Sequence, residues 1–592
     1  MNLINIFLYG SLGLSLVFSL LNIVFSPDIS VAAFPLAFVF SAVLVYCSWF
    51  QLYLKRNLKI VSVVRKLYQY LPFILLVSFV FRRAGAEGTS HTFDIISVFL
   101  WLGASGFSIG MQVLLSHKRI GSTFPQWNEF KEANAQEKPR GLRRIIREVF
   151  EWIDAFIQAA FTVALLNIFI LQLYEIPSES MVPEFLVRDR VVVFKTASGP
   201  RFPLSDVGIP QLRSYDRGDI VVFRNPHYSR DRKSEVRTFV SQLVYTLTFT
   251  GVKLNVDEDG NLKADPLVKR VTGLPGEQLM MVDGVLYART ADSQEFKVVQ
   301  EDQKWAEWNV AGLPAKTLEL VQDIPLSENS YDTMIQCEQM KNNLTYSSAR
   351  EEILGLVEEF TAIRTSLTGK DGGNGEGIVP MADLFEYTFF SRADELSRRL
   401  LTINGGNQWF ADYMTAWMDE IPQECFTDAT VLVGGDLYQD SSFRLNLLSK
   451  IAFGRLVVQN ARLTAEVAPV ASWRNDSIRN EALSQIQMVH QYFVLMDLRN
   501  MPVFPANTSS GEPEYIPDNS FFMMGDNRFN SLDMRHSYDS SMRAVTSYDP
   551  YSLLYYSNIA PQAVGAKDIL GTTVLRFWPV TRFGVPGITG KE

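Results

Sequence analysis

The chain has 592 residues, a formal net charge of −9 and 47% hydrophobic residues. This length predicts several domains, and an acidic chain without a basic stripe excludes nucleic acid as a general partner. The long apolar runs are concentrated in the first 175 residues, which predicts a membrane region followed by a globular part.

Five apolar runs follow one another in the N-terminal part of the chain. About 20 apolar residues in a helix cross the hydrocarbon core of a bilayer. The first run lacks a charged segment before it and a small-residue cleavage site after it, so we interpret it as a retained helix. The third run is the shortest, and the sequence does not decide whether it crosses the bilayer. The predicted spans are 4–25, 32–54, 67–81, 95–115 and 155–173.

The charges of the loops predict how these helices are oriented, because cytoplasmic loops collect Lys and Arg. The loop 55–66 has five basic residues and the loop 116–154 has eight, whereas the opposite side has only Arg82 and Arg83. The N-terminus is therefore predicted inside the cytoplasm, and everything after Leu173 outside it. If the third run does not cross, the N-terminus must lie outside.

Short β-branched and aromatic runs begin at Arg190 and predict a mainly β domain. The dipeptide Asp283-Gly284 predicts a hairpin turn inside one of these runs. The predicted strands are 190–195, 219–224, 267–273, 278–288, 521–527 and 572–578.

A large insertion with helical apolar spacing interrupts this β pattern. Its predicted helices include 333–343, 349–367 and 477–499. We therefore expect a membrane region at 1–175, a β domain formed by 176–301 and 517–592, and a partly helical insertion at 302–516.

The chain has three cysteines. Cys47 lies within an apolar run and is interpreted as a packing residue. Cys337 and Cys425 could form a disulfide outside the cytoplasm, which the sequence leaves open because the pairing depends on their separation in space. The spacing fits no zinc pattern, and no metal or cofactor is predicted.

The string IPSESMVPEF, from Ile176 to Phe185, follows the last apolar run and contains two serines with no histidine nearby. A serine nucleophile needs a base, and no Gly-x-Ser-x-Gly motif supports a histidine in that role. A lysine acts as a base at neutral pH only if burial lowers its pKa by about three units. Lys269 lies on a predicted apolar strand and could meet this condition, although lysines on strands usually face water.

Four sequence strings, taken together and in order, strengthen the prediction of a serine nucleophile with Lys269 as its base. They are PSESMVPEF at 177–185, RGDIVVF at 217–223, VKRVTGLPGE at 268–277 and MGDNRFNSLDMR at 524–535. In this order, after a membrane span, they resemble the motifs of the type I signal peptidases, which are membrane-bound Ser/Lys proteases. The resemblance implies a signal-peptidase-like β fold for the catalytic domain.

The resemblance also implies roles for individual residues. Ser180 would be the nucleophile and Lys269 the general base. The Ser178 hydroxyl and the Ser180 backbone N–H would form the oxyanion hole, and Ser531 would orient the lysine. The residues implied to support the lysine through their charges are Asp526, Asp533, Arg270 and Arg535.

The implied activity is cleavage of signal peptides with small residues at positions −1 and −3 in exported preproteins. The implied location is a bacterial inner membrane, with the catalytic domain on the periplasmic side and the bilayer as a partner. The insertion could bind a protein partner. Two alternatives stay open: a Ser/Lys protease that matures one dedicated partner, and a non-catalytic membrane scaffold.

Several positions depart from the family pattern, including Met534 and His536 in the Met-Arg-His-Ser that replaces the usual Ser-Arg continuation. Glu179 stands where glycine is frequent, Phe529 stands where an acidic residue is usual, and Glu184 belongs to a Pro-Glu-Phe that replaces Pro-Thr-Leu. None of them removes a catalytic group, but Phe529 raises a question about the charge network.

Overall fold

A computed structural model describes most of the chain, and all structural statements below refer to these residues. They are 3–24, 33–85, 90–133, 141–228, 231–248, 252, 254, 263–369, 373, 375 and 377–587. Part of the basic loop 116–154 lies outside the described residues.

The N-terminal part is helical, as the apolar runs predict. By length and composition, five of its helices could cross a membrane. The second continues as a π-helix, Tyr46–Leu54. The helices are α1 (Leu3–Val24), α2 (Ala33–Val45), α3 (Val61–Gly85), α4 (His91–Leu114), α5 (Ile120–Thr123), α6 (Trp127–Ala133) and α7 (Leu142–Phe169).

Two predicted spans differ from the observed helices. α3 has 25 residues and is longer than the predicted 67–81, because a search for uncharged runs stops at Arg65 and Lys66. The predicted span 155–173 is wrong at its end: the helix stops at Phe169 and Leu171–Glu175 form a strand. A continuous apolar run does not distinguish a helix from a strand.

Arg82 and Arg83, which break the charge pattern of the loops, share one buried carboxylate inside the protein. Asp94 at the start of α4 lies 2.7 Å from an Arg82 nitrogen and 3.3 Å from the Arg83 Nε. The Ser205 hydroxyl donates to the same carboxylate at 2.7 Å. Arg83 also donates to the Leu204 carbonyl of the large domain, so the two arginines contribute to buried contacts rather than to a free basic loop.

The β structure follows the membrane-length helices and begins at Leu171. The strands are β1 (Leu171–Glu175), β2 (Arg190–Phe194), β3 (Ile220–Phe223), β4 (Leu267–Gly273), β5 (Glu277–Val282), β6 (Val285–Thr290), β7 (Ser293–Val298), β8 (Met501–Phe504), β9 (Ser520–Met524), β10 (His536–Ala544), β11 (Leu554–Ile559), β12 (Val564–Gly565) and β13 (Ile569–Trp578). Helix α8 (Arg232–Leu247) follows β3.

Three antiparallel sheets result from these strands. The main sheet has seven strands in the order β1-β2-β13-β3-β4-β9-β12, a second has the order β7-β6-β5-β8, and β10 pairs with β11. The turn Asp283-Gly284 closes the β5–β6 hairpin as predicted, with both residues at positive φ. All four residues of β3 are buried, so the centre of the main sheet is covered on both faces.

The insertion is mainly helical. Each long helix has a polar N-cap: the Asp436 carboxylate accepts the Gln439 N–H at 2.9 Å, and the Asp476 carboxylate accepts the Arg479 N–H at 2.7 Å. Such caps satisfy N–H groups that the helix leaves free. Its helices are α9 (Ala315–Leu318), α10 (Glu328–Asn343), α11 (Tyr346–Thr368), α12 (Glu386–Ser391), α13 (Ala393–Thr402), α14 (Gly406–Thr415), α15 (Leu437–Ala465) and α16 (Ser477–Arg499).

The insertion and the β domain share packing. α15 runs through the centre of the insertion core, and Phe529 and Tyr555 from the C-terminal part pack into the same core. β8, which follows α16, pairs with β5. A multi-span helical region followed by a mainly β domain with a large helical insertion is therefore the architecture, as predicted.

Cys337 and Cys425 both lie in the insertion core and carry free thiols. Burial raises the pKa of the Cys337 thiol to about 12. Both cysteines therefore contribute as small packing residues in this structure.

Candidate active site

Ser180 lies in a tight turn between β1 and β2. The Val182 N–H donates to the Glu179 carbonyl at 3.0 Å, and the Phe185 N–H donates to the Met181 carbonyl at 2.9 Å. The side chains of Met181 and Val182 are buried. The sequence SESMVPEF thus fixes Ser180 by burying the apolar residues that follow it.

Lys269 reaches this turn from β4. It is opposite Val221 of β3, its side chain is 3% exposed, and its Nζ donates to the Ser180 Oγ at 2.6 Å. Burial lowers the Lys269 pKa to about 8, while the carboxylates of Asp533 and Asp526 act in the opposite direction. A lysine on a strand usually faces water, but both faces of this sheet are covered, so the lysine is desolvated.

Ser178 is exposed and lies at the entrance of the turn. Its Oγ donates to the Ser180 Oγ at 3.4 Å. The contribution of its hydroxyl to an oxyanion hole stays a prediction.

Ser531 is buried beside the nucleophile turn. A Cβ at Gly525 would overlap with both the Ser531 Oγ and the Ser180 carbonyl oxygen, so glycine allows this close approach. Among the described residues the Ser531 Oγ has no hydrogen-bond partner. The hydrogen bond to Lys269 that the resemblance implies is therefore absent here, where the ammonium donates to Ser180 instead.

The other implied residues form two buried ion pairs. The Arg270 guanidinium binds Asp526 through two bonds of 2.8 and 2.5 Å. The Arg535 Nε donates to Asp533 at 2.8 Å, and both side chains are fully buried. Asp533 also accepts the Gly525 N–H at 2.9 Å. The second pair thus holds the glycine that lies against the Ser180 carbonyl.

Two further charged residues of this network were missed by the sequence reasoning. Glu184 lies 3.7 Å from the Arg270 guanidinium, and burial raises its pKa while Arg270 opposes the rise. Asp302 pairs with Arg528 at 2.5 Å, with both side chains almost fully buried. Glu184 could have been identified from the sequence, because it lies in the Pro-Glu-Phe that departs from the family pattern. Nothing in the sequence around Asp302 indicates its partner.

Asn527 in the Gly-Asp-Asn string was also missed as a contact of the nucleophile turn. Its N–H donates to the Ser180 carbonyl at 3.2 Å, and its side-chain amide donates to the Glu179 carbonyl at 3.1 Å. Asn527 could have been identified from the sequence, because it lies inside the motif at 524–535.

Phe529 fills an apolar position instead of a charged one. Its ring lies edge-on against Trp308, with centroids 5.1 Å apart, and it belongs to the insertion core. The enlarged insertion therefore provides an apolar partner where the family usually has an acidic residue.

Glu179 points away from the Ser180–Lys269 pair. Its side chain is 6% exposed, and its carboxylate accepts the backbone N–H groups of Gln322 and Asp323, the latter at 2.9 Å. The residue next to the nucleophile is therefore held by the beginning of the insertion.

Metal ligands and a histidine base are two other kinds of functional group that a peptidase site can contain. Within the described ranges, no group of three or more His, Cys, Asp or Glu side chains could hold a metal ion. Burial, together with the charge of Arg535, lowers the His536 pKa to about 4, so this histidine is neutral at physiological pH.

Comparisons with known proteins bear on this arrangement. Residues 149–338 match the sequence model of the family described as signal peptidase, peptidase S26. Signal peptidase I of Pseudomonas aeruginosa is 28% identical over 171 residues, which are 28% of this chain and 59% of that protein. Signal peptidase I of Buchnera aphidicola from Schizaphis graminum is 28% identical over 130 residues, 22% of this chain and 30% of that protein.

A shorter match is to Signal peptidase I of Pseudomonas fluorescens, 36% identical over 76 residues, 13% of this chain and 27% of that protein. The chain thus spans less than two thirds of the relatives it matches. The resemblance to the type I signal peptidases is confirmed by these findings. Together with the apolar helices, they identify a membrane protein with a peptidase S26 region.

Proposed function

We propose that this protein is a membrane-anchored signal peptidase that uses Ser180 as nucleophile and Lys269 as general base. The observation that carries the proposal is the 2.6 Å hydrogen bond from the Lys269 Nζ to the Ser180 Oγ. With a pKa of about 8, roughly one lysine in ten is neutral at pH 7 and able to accept a proton.

In the first half of the reaction, the Ser180 Oγ attacks the carbonyl carbon of the scissile bond and Lys269 takes the hydroxyl proton. Lysine then gives this proton to the leaving amine, and an acyl ester on Ser180 remains. In the second half, Lys269 takes a proton from water, the hydroxide attacks the ester, and the proton returns to the Ser180 Oγ.

The developing oxyanion needs hydrogen-bond donors in the nucleophile turn. The Ser180 backbone N–H and the Ser178 hydroxyl are the proposed donors. Loss of one donor of this kind typically lowers the rate by about 10²–10³-fold. The hydrogen bond from the Asn527 side-chain amide to the Glu179 carbonyl supports this role, because that carbonyl and the Ser180 N–H belong to the same peptide unit.

The proposed substrates are exported preproteins with small residues at positions −1 and −3. The proposed arrangement has the N-terminus in the cytoplasm and the catalytic domain on the periplasmic side of a bacterial inner membrane. This orientation is supported by the basic loops on one side of the helices.

Cleavage of a model precursor by the full-length protein in detergent tests the proposal. Ser180→Ala and Lys269→Ala should each lower the rate by about 10⁴-fold or more. Lys297→Ala, at an exposed lysine of β7, is the matched control and should cleave normally. Cleavage by Lys269→Ala at the wild-type rate would mean that another group is the base.

A second candidate function is maturation of one dedicated partner that the insertion recognises. The hydrogen bonds from Gln322 and Asp323 of the insertion to Glu179 favour it, because they link the insertion to the nucleophile turn. Cleavage of several unrelated precursors at similar rates would contradict it. Inactivity on every precursor, without labelling by a serine-acylating inhibitor, would favour the scaffold alternative.

A further inference from the structure

A cavity of about 280 Å³ with both polar and apolar walls lies between the membrane region and the β domain. Arg83 in the last turn of α3 and Ile168 in the last turn of α7 both line it, together with the loop 199–206 and α8. Ser180 and Lys269 do not line it. Two membrane-length helices end at this cavity, so if these helices cross a bilayer, the cavity lies near the level where the hydrocarbon core meets the headgroups.

Lys195 contributes an ammonium group without a carboxylate partner. Its Nζ donates to the Asn167 carbonyl at 2.9 Å and to the Gln172 Oε1 at 3.1 Å. Among the described residues, no Asp or Glu lies within ion-pair distance of it. Burial and the nearby Arg224 lower its pKa to about 8. The cavity wall therefore holds a cation that only neutral oxygens solvate.

Gln172 contributes a donor that lacks an acceptor. Its side chain is 2% exposed, and its amide oxygen is already used by Lys195. The nitrogen of the same side-chain amide has no hydrogen-bond partner among the described residues. Buried donors are almost always satisfied, so this N–H group indicates an acceptor supplied by something that enters the cavity.

Two guanidinium groups converge on a second part of the wall. Arg83 and Arg232 both donate to the Leu204 carbonyl, at 2.7 and 3.0 Å. Arg83 is 7% exposed, and its Nη1 has no hydrogen-bond partner among the described residues. Asp94 lies 3.3 Å from the Arg83 Nε and Glu235 lies 3.0 Å from Arg232, so each guanidinium has a carboxylate on one side, and the Arg83 Nη1 is the donor left for an anion.

The carboxylates that line the cavity are already engaged. Glu235 lies 3.0 Å from Arg232, Asp206 lies 2.7 Å from Arg201, and Asp265 accepts the Asn225 N–H at 3.0 Å. The donors of Lys195, Gln172 and Arg83 therefore remain available to a ligand.

We propose that this cavity is a binding site for a phosphate group, from either a phospholipid headgroup or free phosphate. A phosphate offers several acceptor oxygens and a negative charge, which guanidinium, ammonium and amide donors recognise together. A phospholipid could enter from the side, because α7 leaves Val163 and Leu166 about 40% exposed next to the cavity.

Binding of two probes to the full-length protein in detergent tests this site. The probes are short-chain phosphatidylglycerol and inorganic phosphate. Binding of each probe is measured by native mass spectrometry and by the shift of the thermal unfolding midpoint. The informative variant is Gln172→Glu. Its carboxylate gives Lys195 a counter-ion, so the variant should still fold. The same negative charge should repel an anion from the cavity. Arg83→Gln is the second variant, and Lys297→Gln on the distant β7 is the control.

Wild type and Lys297→Gln should bind a probe, and Gln172→Glu and Arg83→Gln should each weaken that binding at least tenfold. Binding of phosphatidylglycerol alone supports a lipid source, whereas equal protection by inorganic phosphate supports free phosphate. The proposal is overturned if wild type binds neither probe, or if Gln172→Glu remains folded and binds as wild type does.

Discussion

The carboxylate of Glu179 accepts the backbone N–H of Asp323 at 2.9 Å, across 144 residues of sequence. The residue directly before Ser180 is thus bound to the beginning of the insertion. Charge-assisted bonds of this kind contribute about 1.5–3 kcal/mol each. The enlarged insertion therefore helps to hold the turn that carries Ser180.

Replacing Glu179 tests this positioning role. Glu179→Ala should lower kcat by at least about tenfold with a smaller change in KM, because the turn loses its anchor while substrate contacts remain. Glu179→Gln keeps an acceptor oxygen and should recover part of the rate. Glu295→Ala, at an exposed residue of β7, is the control. An unchanged kcat for Glu179→Ala would contradict the role.

The pH dependence of cleavage should report the protonation of Lys269. A general base must be neutral, and the neutral fraction rises as the pH rises through the lysine pKa of about 8. We therefore expect kcat/KM to increase about tenfold per pH unit below this value and to level off above it. A profile that is flat between pH 6 and 9 would argue against a lysine base.

Asp533→Asn should move this profile to lower pH. The carboxylate of Asp533 raises the Lys269 pKa, whereas Arg535 lowers it. Without the negative charge of Asp533, the positive charge of Arg535 is unopposed and lowers the Lys269 pKa further. Comparison of the acid limbs of wild type and variant measures the shift, and a shift to higher pH would contradict this electrostatic account.

Ser531→Ala should separate catalysis from stability. The Ser531 hydroxyl is buried and has no hydrogen-bond partner in the part of the chain that the structure describes, so its removal should leave the unfolding midpoint unchanged or slightly higher. If the hydroxyl orients Lys269 during turnover, kcat should fall about tenfold. Thermal unfolding and initial rates on the same preparation test both parts, and an unchanged kcat would exclude the orienting role.

Arg270→Gln should strongly destabilise the β domain. The guanidinium is almost fully buried against Asp526, and removing one partner leaves a buried charge, at a cost of about 3–5 kcal/mol. Arg213→Gln breaks a pair whose arginine is 38% exposed and should cost less than about 1 kcal/mol. Denaturant unfolding of the two variants should therefore give clearly different midpoints.

Phe529→Asp should disturb the packing between the insertion and the β domain. Restoring the acidic residue that is usual in the family would place an unpaired charge against Trp308, which we expect to cost about 3–5 kcal/mol. Phe529→Leu should cost about 1–2 kcal/mol. Phe583→Asp, at a ring that is 63% exposed, is the control. Equal midpoints for Phe529→Asp and wild type would contradict this packing role.

The sequence by itself determined the features that depend on local patterns. Uninterrupted apolar runs predicted the membrane helices because a span needs a minimum apolar length. β-branched runs predicted β3 and β4, helical spacing predicted α16, and four ordered motifs indicated the family. The same motifs indicate Ser180 and Lys269 as candidate catalytic residues, because each lies inside one of them.

Only the tertiary structure decided which distant groups meet. Ser180 and Lys269 are 89 residues apart, and their contact depends on how β4 crosses the sheet behind the nucleophile turn. The end of α7 and the start of β1 form one apolar run, which became two elements because β1 pairs with β2. The anchoring of Glu179, the place of Phe529 in the insertion core and the cavity around Lys195 likewise arise from long-range packing, which local periodicity does not encode.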